Sequence, residues 1–306
     1  MNSGGRLEKA LAEREFAVTA EIGPPRNASG ESVRAKARLL KGFVHAANVT
    51  DCQSAVVRLA SLAAALHVQA EGVEAVWQMT CRDRNRIAMQ SDLLGAASLG
   101  IKNVLCLTGD HQKFGNHPAA KNVFDLDSVQ MVEMVRRMRD DGRFHCGDEI
   151  KGPLPRFLIG AVENATAEPT VLRLLRLRKK VAAGAQFIQT QGVFDLARFE
   201  VFMREAADAG ILENCRLLAG VIPLKSARAA RFMNERVPGV RIPDEVVRRM
   251  EQSRDQEEEG IRIAVETVDA LRRVPGVAGV HLMAVAWEEA VPRIVSEAGI
   301  KPLGDR

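Results

Sequence analysis

The alternation of short apolar runs with longer amphipathic segments is the feature that most constrains the fold of this 306-residue chain. Runs with the length and composition of buried strands occur at 16–22, 44–50, 74–80, 103–108, 156–162, 186–191, 216–222 and 279–285. Near-continuous apolar strands separated by crossover helices are typical of a parallel sheet covered by helices. Eight such repeats predict an α/β fold, a closed (β/α)₈ barrel in which residues 1–306 form a single domain. An open doubly wound sheet is the alternative, although no G-x-G-x-x-G follows the first run.

Segments with helical periodicity separate several of these runs. They lie at 31–43, 54–70, 84–100, 127–142 and 168–184. Ser128 is expected to cap the start of the fourth segment, and Gly100, Gly142 and Gly184 are expected to end helices. The connection 109–127 after the fourth run is long for a compact fold, and connections of that length are often functional.

Composition excludes several classes of protein. The chain is 46% hydrophobic and 27% charged, with a net charge of +4 and no polybasic tail, so a nucleic-acid partner is disfavoured. Five separated cysteines without a C-x-x-C pair indicate neither a disulfide framework nor a zinc site. The first sixteen residues contain no apolar signal region, and no stretch has the length of a membrane span. We therefore expect a cytoplasmic protein.

Polar residues follow the predicted strands at the end where a barrel of this kind has its active site. In "VTAEIGPPR" (18–26), Glu21 lies at the end of the first run, one residue before Gly23, Pro24 and Pro25. The later runs end with Thr50, Asp51, Gln78, Thr80, Thr108, Gly109, Asp110, Glu163, Asn164, Gln189, Gln191, Pro223, Trp287, Glu288 and Glu289. Taken singly, each is more typical of a solvated strand end. Together, two carboxylates and several amides on one rim favour a site that binds a flat heteroaromatic ligand by hydrogen bonds.

Other sites have no sequence signal. The six histidines never pair with Cys or Asp at metal-ligand spacing, so no metal site is predicted. There is no G-x-S-x-G elbow and no P-loop, so no motif indicates a hydrolase or a nucleotidase. The basic segment 172–185 is either a solvated helix face or a surface that meets a cofactor phosphate.

Seven motifs stand in order along nearly the whole chain, between residues 18 and 300. They are "EIGPPR" (21–26), "VTDC" (49–52), "QMTCRDRNR" (78–86), "LTGD" (107–110), "RKKVAAGAQFIQTQ" (178–191), "AGVIPL" (219–224) and "VRIPDEV" (240–246). This ordered set resembles the methylenetetrahydrofolate reductase family of flavin-dependent barrels. The resemblance is closest in character to the short form found in acetate-forming anaerobes.

The resemblance implies roles for individual residues. Glu21 matches the general acid that helps to open the five-membered ring of methylenetetrahydrofolate, Asp110 matches the carboxylate near the pterin and flavin rings, and Gln191 matches the amide that holds the folate. Lys180 is placed near the flavin phosphate. The other implied flavin contacts are Thr50, Gln78, Thr108, Gly109, Asp110, Phe124, Asp125, Gly160, Ala161, Val162, Glu163 and Asn164.

The implied reaction is the reversible reduction of 5,10-methylenetetrahydrofolate to 5-methyltetrahydrofolate by reduced flavin. Gln78 stands where many bacterial members have His, and Thr108 where they have Arg, so the flavin is FAD as in the family or FMN. Met233 and Trp287 replace residues that meet the nicotinamide and the substrate. The electron donor is accordingly NAD(P)H or a partner subunit with zinc or iron-sulfur centres, in a homo- or hetero-oligomer. The alternatives are a folate or corrinoid methyltransferase barrel and a non-catalytic folate-binding subunit.

Overall fold

A computed structural model describes residues 2–237, 239–301 and 303 of the chain. Eight parallel strands hydrogen-bond in sequence order, and the last pairs with the first, so the sheet closes into a barrel. The strands are β1 Ala17–Ile22, β2 Ala46–Val49, β3 Ala75–Thr80, β4 Asn103–Leu107, β5 Leu158–Glu163, β6 Phe187–Gly192, β7 Arg216–Val221 and β8 Val277–Leu282. The predicted (β/α)₈ barrel is thus confirmed, and the open sheet is wrong because β1 and β8 pair directly.

Helices pack around the outside of the barrel and, at one end, close it. They are α1 Arg6–Ala12, α2 Gly30–Leu40, α3 Ser61–Ala70, α4 Arg86–Ser98, α5 Ser128–Arg136, α6 Thr170–Ala183, α7 Leu196–Asp208, α8 Ala227–Arg236, α9 Asp244–Gln252, α10 Gln256–Arg273 and α11 Ala290–Glu297. None of the described helices has the length and apolar character needed to cross a membrane.

Three sequence expectations need correction. The predicted helix 54–70 begins only at Ser61, because the backbone N–H groups of Ser54 and Val57 bond to side chains of the β4–α5 loop instead of to a helical turn. The cap of α5 is Asp127 rather than Ser128, and it forms a capping box with Gln130. Strand β8 also begins and ends earlier than 279–285.

The barrel interior is apolar at its lower end and polar at its upper end. Leu7 and Leu11 of α1 close the lower end by packing against inward-facing residues such as Leu105, Leu158 and Phe187. Nearer the carboxyl ends of the strands, the interior positions become polar. These buried positions are occupied by Thr19, Asn48, Gln78, Gln189 and His281. Since polar side chains in a barrel interior must find partners, this change marks the end that can bind a ligand.

The loops after β2 and β4 are tied together by Arg82, which follows β3. The Arg82 guanidinium is almost fully buried and donates to the carbonyl oxygens of Cys52 (3.4 Å) and Asp110 (3.1 Å). Gly109 turns beneath it with φ +88°, where a Cβ atom would lie 3.0 Å from the Cβ of Thr80. The position therefore favours glycine on both conformational and steric grounds.

Candidate active site

A cleft opens at the carboxyl ends of the strands and consists of two adjoining cavities. Their volumes are about 320 Å³ and about 390 Å³, and they share Glu21, Gln78, Leu107, Val162, Arg176 and Lys180 as lining residues. The first extends towards β5 and β6, and the second extends towards the loops after β2 and β4. Pockets of this size are typical of small-molecule sites.

Glu21 lies between the two cavities, where its side chain remains 23% exposed. Desolvation in the barrel mouth, assisted by the negative charge of Glu288, raises the pKa of Glu21 to about 7, although the positive charge of Arg58 opposes the rise. A carboxyl with such a pKa holds a proton through much of the neutral range and can also release it. Glu21 is therefore suited to general acid and base chemistry.

His281 lies inside the barrel beside Glu21, with its Nε2 atom 3.9 Å from a Glu21 carboxyl oxygen. Burial lowers the pKa of His281 to about 3, so the ring is neutral at physiological pH. A neutral imidazole provides no positive charge that would hold Glu21 in its ionised form. This environment is consistent with the raised pKa of the acid.

A chain of hydrogen bonds fixes the orientation of His281. Asn48 and Gln189 exchange two amide hydrogen bonds of 2.6 and 3.0 Å, and Gln189 Nε2 also donates to the Thr19 hydroxyl at 3.1 Å. The Thr19 oxygen lies 2.9 Å from His281 Nδ1. Because Gln189 donates to Thr19, we assign the hydroxyl proton to the bond with Nδ1, which leaves the imidazole proton on Nε2 facing Glu21.

Glu288 is held beside the acid by Lys36 of α2. The Lys36 ammonium bonds to a Glu288 carboxyl oxygen at 2.5 Å and to the carbonyl oxygen of Gly23 at 3.4 Å. Glu288 is 4% exposed. This contact joins the turn after β1 to the segment after β8, on either side of Glu21.

Asp110 has a different environment from Glu21. It is exposed at the cleft edge, and its carboxylate accepts a hydrogen bond of 2.8 Å from the backbone N–H of Ser54. Its carbonyl oxygen is held by Arg82. The Asp110 side chain, which the resemblance places near the bound rings, is therefore fixed by the two loops that frame the second cavity.

The β5–α6 side of the cleft carries positive charge. Lys180 and Glu163 form a buried ion pair of 2.8 Å, and Lys180 also donates to the carbonyl oxygen of Val162 at 2.5 Å. Burial lowers the pKa of Lys180 against the opposing effect of Glu163, and the charges of Arg176 and Arg173 lower it further. Both arginines line the first cavity.

Several uncharged groups complete the cleft. The Gln78 amide lines both cavities, and no hydrogen bond joins it to another described side chain. Gln191 lines the first cavity and accepts from the N–H of Gly192 through its amide oxygen, at 3.0 Å. The Thr50 hydroxyl donates to Gln53 at 2.6 Å in the second cavity. The remaining predicted residues that line the cleft are Thr108 and Gly109 in the second cavity and Asn164 in the first.

Four residues of the predicted set do not line either cavity. Asp125, next to Phe124, is paired with Arg86 at the start of α4. Gly160 and Ala161 lie within β5; the ring of Phe187 fills the space beside Gly160, and Ala161 is buried under the helices. Their roles remain predictions from the resemblance.

Sequence reasoning missed residues that surround Glu21. The spacing of the histidines bears only on metal binding and gives His281 no other role, and none of the seven motifs contains Arg58. Glu288 was noted as a strand-end residue, but nothing in the sequence indicated its contact with Lys36. A signal did exist for His281, because an ionisable residue within the apolar run of β8 has to face either the barrel interior or a helix.

Groups of three or more potential metal-ligating side chains are absent from the residues that the structure describes. The cleft is lined by a carboxyl with a raised pKa, by hydrogen-bonding amides and hydroxyls, and by cationic side chains.

The chain is similar in sequence to proteins of a known family. The family model described as "Methylenetetrahydrofolate reductase" matches residues 6–299. A probable methylenetetrahydrofolate reductase (NADPH) of Caenorhabditis elegans is 24% identical over 320 residues, covering 98% of this chain and 45% of the relative. The 5,10-methylenetetrahydrofolate reductase of Salmonella typhimurium is 24% identical over 236 residues, covering 76% of this chain and 72% of the relative.

A solved structure shares the fold. It is a Clostridium thermocellum protein that binds two copies of 5-methyl-5,6,7,8-tetrahydrofolic acid, with a TM-score of 0.63, 13% identity, and coverage of 94% of this chain and 97% of that one. The chain spans less than half the length of the first curated relatives that it matches. Because the family model covers nearly every residue from α1 to α11, the chain belongs to the methylenetetrahydrofolate reductase family.

Proposed function

We propose that this chain catalyses the flavin-dependent interconversion of 5,10-methylenetetrahydrofolate and 5-methyltetrahydrofolate, with Glu21 as the general acid. The observation that carries the proposal is the raised pKa of Glu21, about 7, at the centre of the cleft of a chain that belongs to this family. The folate-binding neighbour of the same fold supports the assignment of the substrate class.

The cleft fits a flavin. Leu107 and Val162 offer apolar contact to a flat ring, while Thr50, Gln78 and the turn at Gly109 offer hydrogen-bonding groups to its edge. When bound, the reduced flavin would supply the hydride.

The chain's own residues would then act on the folate. Glu21 gives its proton to N10 of the substrate as the bond between N10 and the methylene carbon breaks, which leaves that carbon electrophilic at N5. His281 stays neutral, so it does not compete for the proton. Gln191 holds the pterin through its amide, and Asp110 provides negative charge near the ring on which positive charge develops.

Anaerobic single-turnover spectroscopy tests this proposal. Purified protein should contain or take up a flavin with its visible absorbance, and the chemically reduced protein should be reoxidised by methylenetetrahydrofolate with formation of 5-methyltetrahydrofolate. A protein that binds folate but neither retains nor takes up flavin would contradict the proposal and favour the methyltransferase or the non-catalytic alternative.

The electron donor requires a separate measurement. Reduction of the bound flavin by NADH or NADPH alone would assign direct nicotinamide use. Reduction only in the presence of a co-purified subunit would assign a partner with metal or iron-sulfur centres. Size-exclusion chromatography of both preparations would give the oligomeric state.

A further inference from the structure

The outer surfaces of α6 and α7 expose an apolar patch that is separate from the cleft. Four large apolar side chains on these helices are 39–69% exposed, namely Val171, Leu172 and Leu175 of α6 and Val201 of α7. None of them lines either cavity of the cleft. Ala197 is exposed one turn before Val201, so the apolar side of α7 continues to the start of that helix. Clustered apolar side chains on a protein surface are typical of an interaction site.

Helices α6 and α7 begin at the same level and run in the same direction. Each follows a strand of the parallel sheet, so the two helices point the same way. Arg198, in the first turn of α7, forms an ion pair of 3.0 Å with Glu168, which lies just before α6. Because every residue advances a helix by the same rise, residues equally far from the two starts lie at about the same depth.

Apolar and charged positions correspond in depth between the two helices. The second residues are Val171 and Ala197, the sixth are Leu175 and Val201, and the tenth are Lys179 and Glu205. A surface that brings α6 of one molecule against α7 of another at equal depth would therefore match apolar residues with apolar residues, and a base with an acid.

The second halves of the two helices carry opposite net charge on their exposed surfaces. On α6 these exposed charges are Arg178 and Lys179. On α7 they are Arg204, Glu205 and Asp208. None of the five side chains forms an ion pair within the described part of the chain. The basic end of α6 and the acidic end of α7 are thus both free to meet charges of another molecule.

We propose that the α6–α7 surface binds a second copy of this chain across a two-fold axis that runs parallel to the two helices. Rotation about such an axis places α6 of each copy opposite α7 of the other, without changing their depth. Leu175 of one copy then packs against Val201 of the other. The basic end of α6 faces the acidic end of α7, and each of these contacts occurs twice.

The apolar centre of this interface supplies the affinity, and the charges select the arrangement. Ion pairs at the rim of an interface add little affinity, but they disfavour arrangements that bring like charges together. Packing α6 against α6 would place Arg178 and Lys179 of one copy against the same two residues of the other. A different protein would require no match between two helices of one chain, so the correspondence in depth favours a second copy as the occupant.

Sedimentation velocity of the full chain, as purified, tests the apolar centre. Leu175→Glu places a charge there, and Leu99→Glu at the end of α4 is the matched control, because Leu175 is 52% exposed and Leu99 is 53% exposed. Circular dichroism establishes that each variant is folded. We expect the wild type and the control to dimerise at micromolar concentrations, and Leu175→Glu to weaken the dimer on the order of 100-fold.

The proposal is overturned if the wild type is monomeric up to about 100 μM or if the two variants associate equally. A wild type that associates only with a different subunit would also refute a second copy as the occupant. The measurement requires neither folate nor flavin turnover, so its outcome is independent of the proposed reaction.

A charge exchange tests which helices face each other. Arg178→Glu/Lys179→Glu makes the end of α6 acidic, and Glu205→Lys/Asp208→Lys makes the end of α7 basic. Each variant alone brings like charges together, so at low ionic strength its dimer should be weaker than the wild-type dimer by about tenfold or more. An equimolar mixture should form a mixed dimer of nearly wild-type affinity. A mixture that associates no more tightly than the separate variants would show that α6 does not face α7.

Discussion

Burial has opposite effects on ionisable side chains at the two sides of the cleft. On the acid side, formed by Glu21, His281 and Glu288, burial keeps an imidazole neutral and a carboxyl protonated near neutral pH. On the cationic side, formed by Glu163, Lys180, Arg173 and Arg176, a buried lysine stays paired with a glutamate. Burial therefore suppresses the charge of a group that contacts no opposite charge. Where an opposite charge is in contact, the two groups remain together as an ion pair.

Removing the acid should give the largest effect. Glu21→Gln keeps the shape of the side chain but has no proton to donate, so we expect turnover with methylenetetrahydrofolate to fall by about 10²- to 10⁴-fold. Flavin reduction by an artificial donor should be unchanged. Exposed Glu289→Gln is the control, and near-normal turnover of Glu21→Gln would refute the assigned role.

The same variant should be more stable than the wild type above neutral pH. Because the pKa of Glu21 is raised in the folded state, the native protein binds more protons than the unfolded chain between about pH 4.5 and about pH 7, and its stability falls across that window. Above it, Glu21→Gln should raise the free energy of unfolding by up to about 3 kcal/mol. Urea unfolding at pH 5 and pH 8 measures the difference, which should be small at pH 5.

Breaking the ion pair on the cationic side should cost stability instead. Glu163→Gln leaves the Lys180 ammonium buried beside a neutral amide, and we expect a loss of about 3–5 kcal/mol in the free energy of unfolding. Lys179→Met, at the neighbouring exposed position, should change it by less than about 0.5 kcal/mol. Equal losses of unfolding free energy in the two variants would show that the Glu163–Lys180 ion pair contributes no more to stability than an exposed charge does.

Thr19→Val tests how the acid side holds its histidine. The variant keeps the side-chain shape but leaves His281 Nδ1 and Gln189 Nε2 without the hydroxyl, so a loss of about 1–3 kcal/mol is expected. Nitrogen NMR of the labelled ring should show the Nε2–H tautomer in the wild type and a mixture in the variant. An Nδ1–H ring in the wild type would show the tautomer assignment to be wrong.

Glu288→Gln should give the smallest effect. Removing this negative charge lowers the pKa of Glu21, so the decline of forward turnover with rising pH should move to lower pH, by about one unit or less. Glu289→Gln again serves as the control. A shift to higher pH would mean that Glu288 acts on Glu21 in some other way.

The barrel and the position of Glu21 could be predicted because both depend on local patterns. Each apolar run is short enough to be a strand, and Pro24 and Pro25 mark the end of the first one. The environment of Glu21 could not be predicted in this way, since Lys36 and Glu288 are 252 positions apart in the chain. Helix α3 was extended wrongly for a similar reason, because the bonds that hold 54–60 out of a helix come from the distant β4–α5 loop.

The pairing of β1 with β8 has a consequence for biosynthesis. Thr19 is synthesised before His281, which lies 262 positions further along the chain, and Glu21 likewise precedes Glu288. Until the final strand docks, Glu21 is a water-exposed carboxylate with an ordinary affinity for protons. Glu21 therefore acquires its raised pKa only when β8 pairs with β1 and the barrel closes.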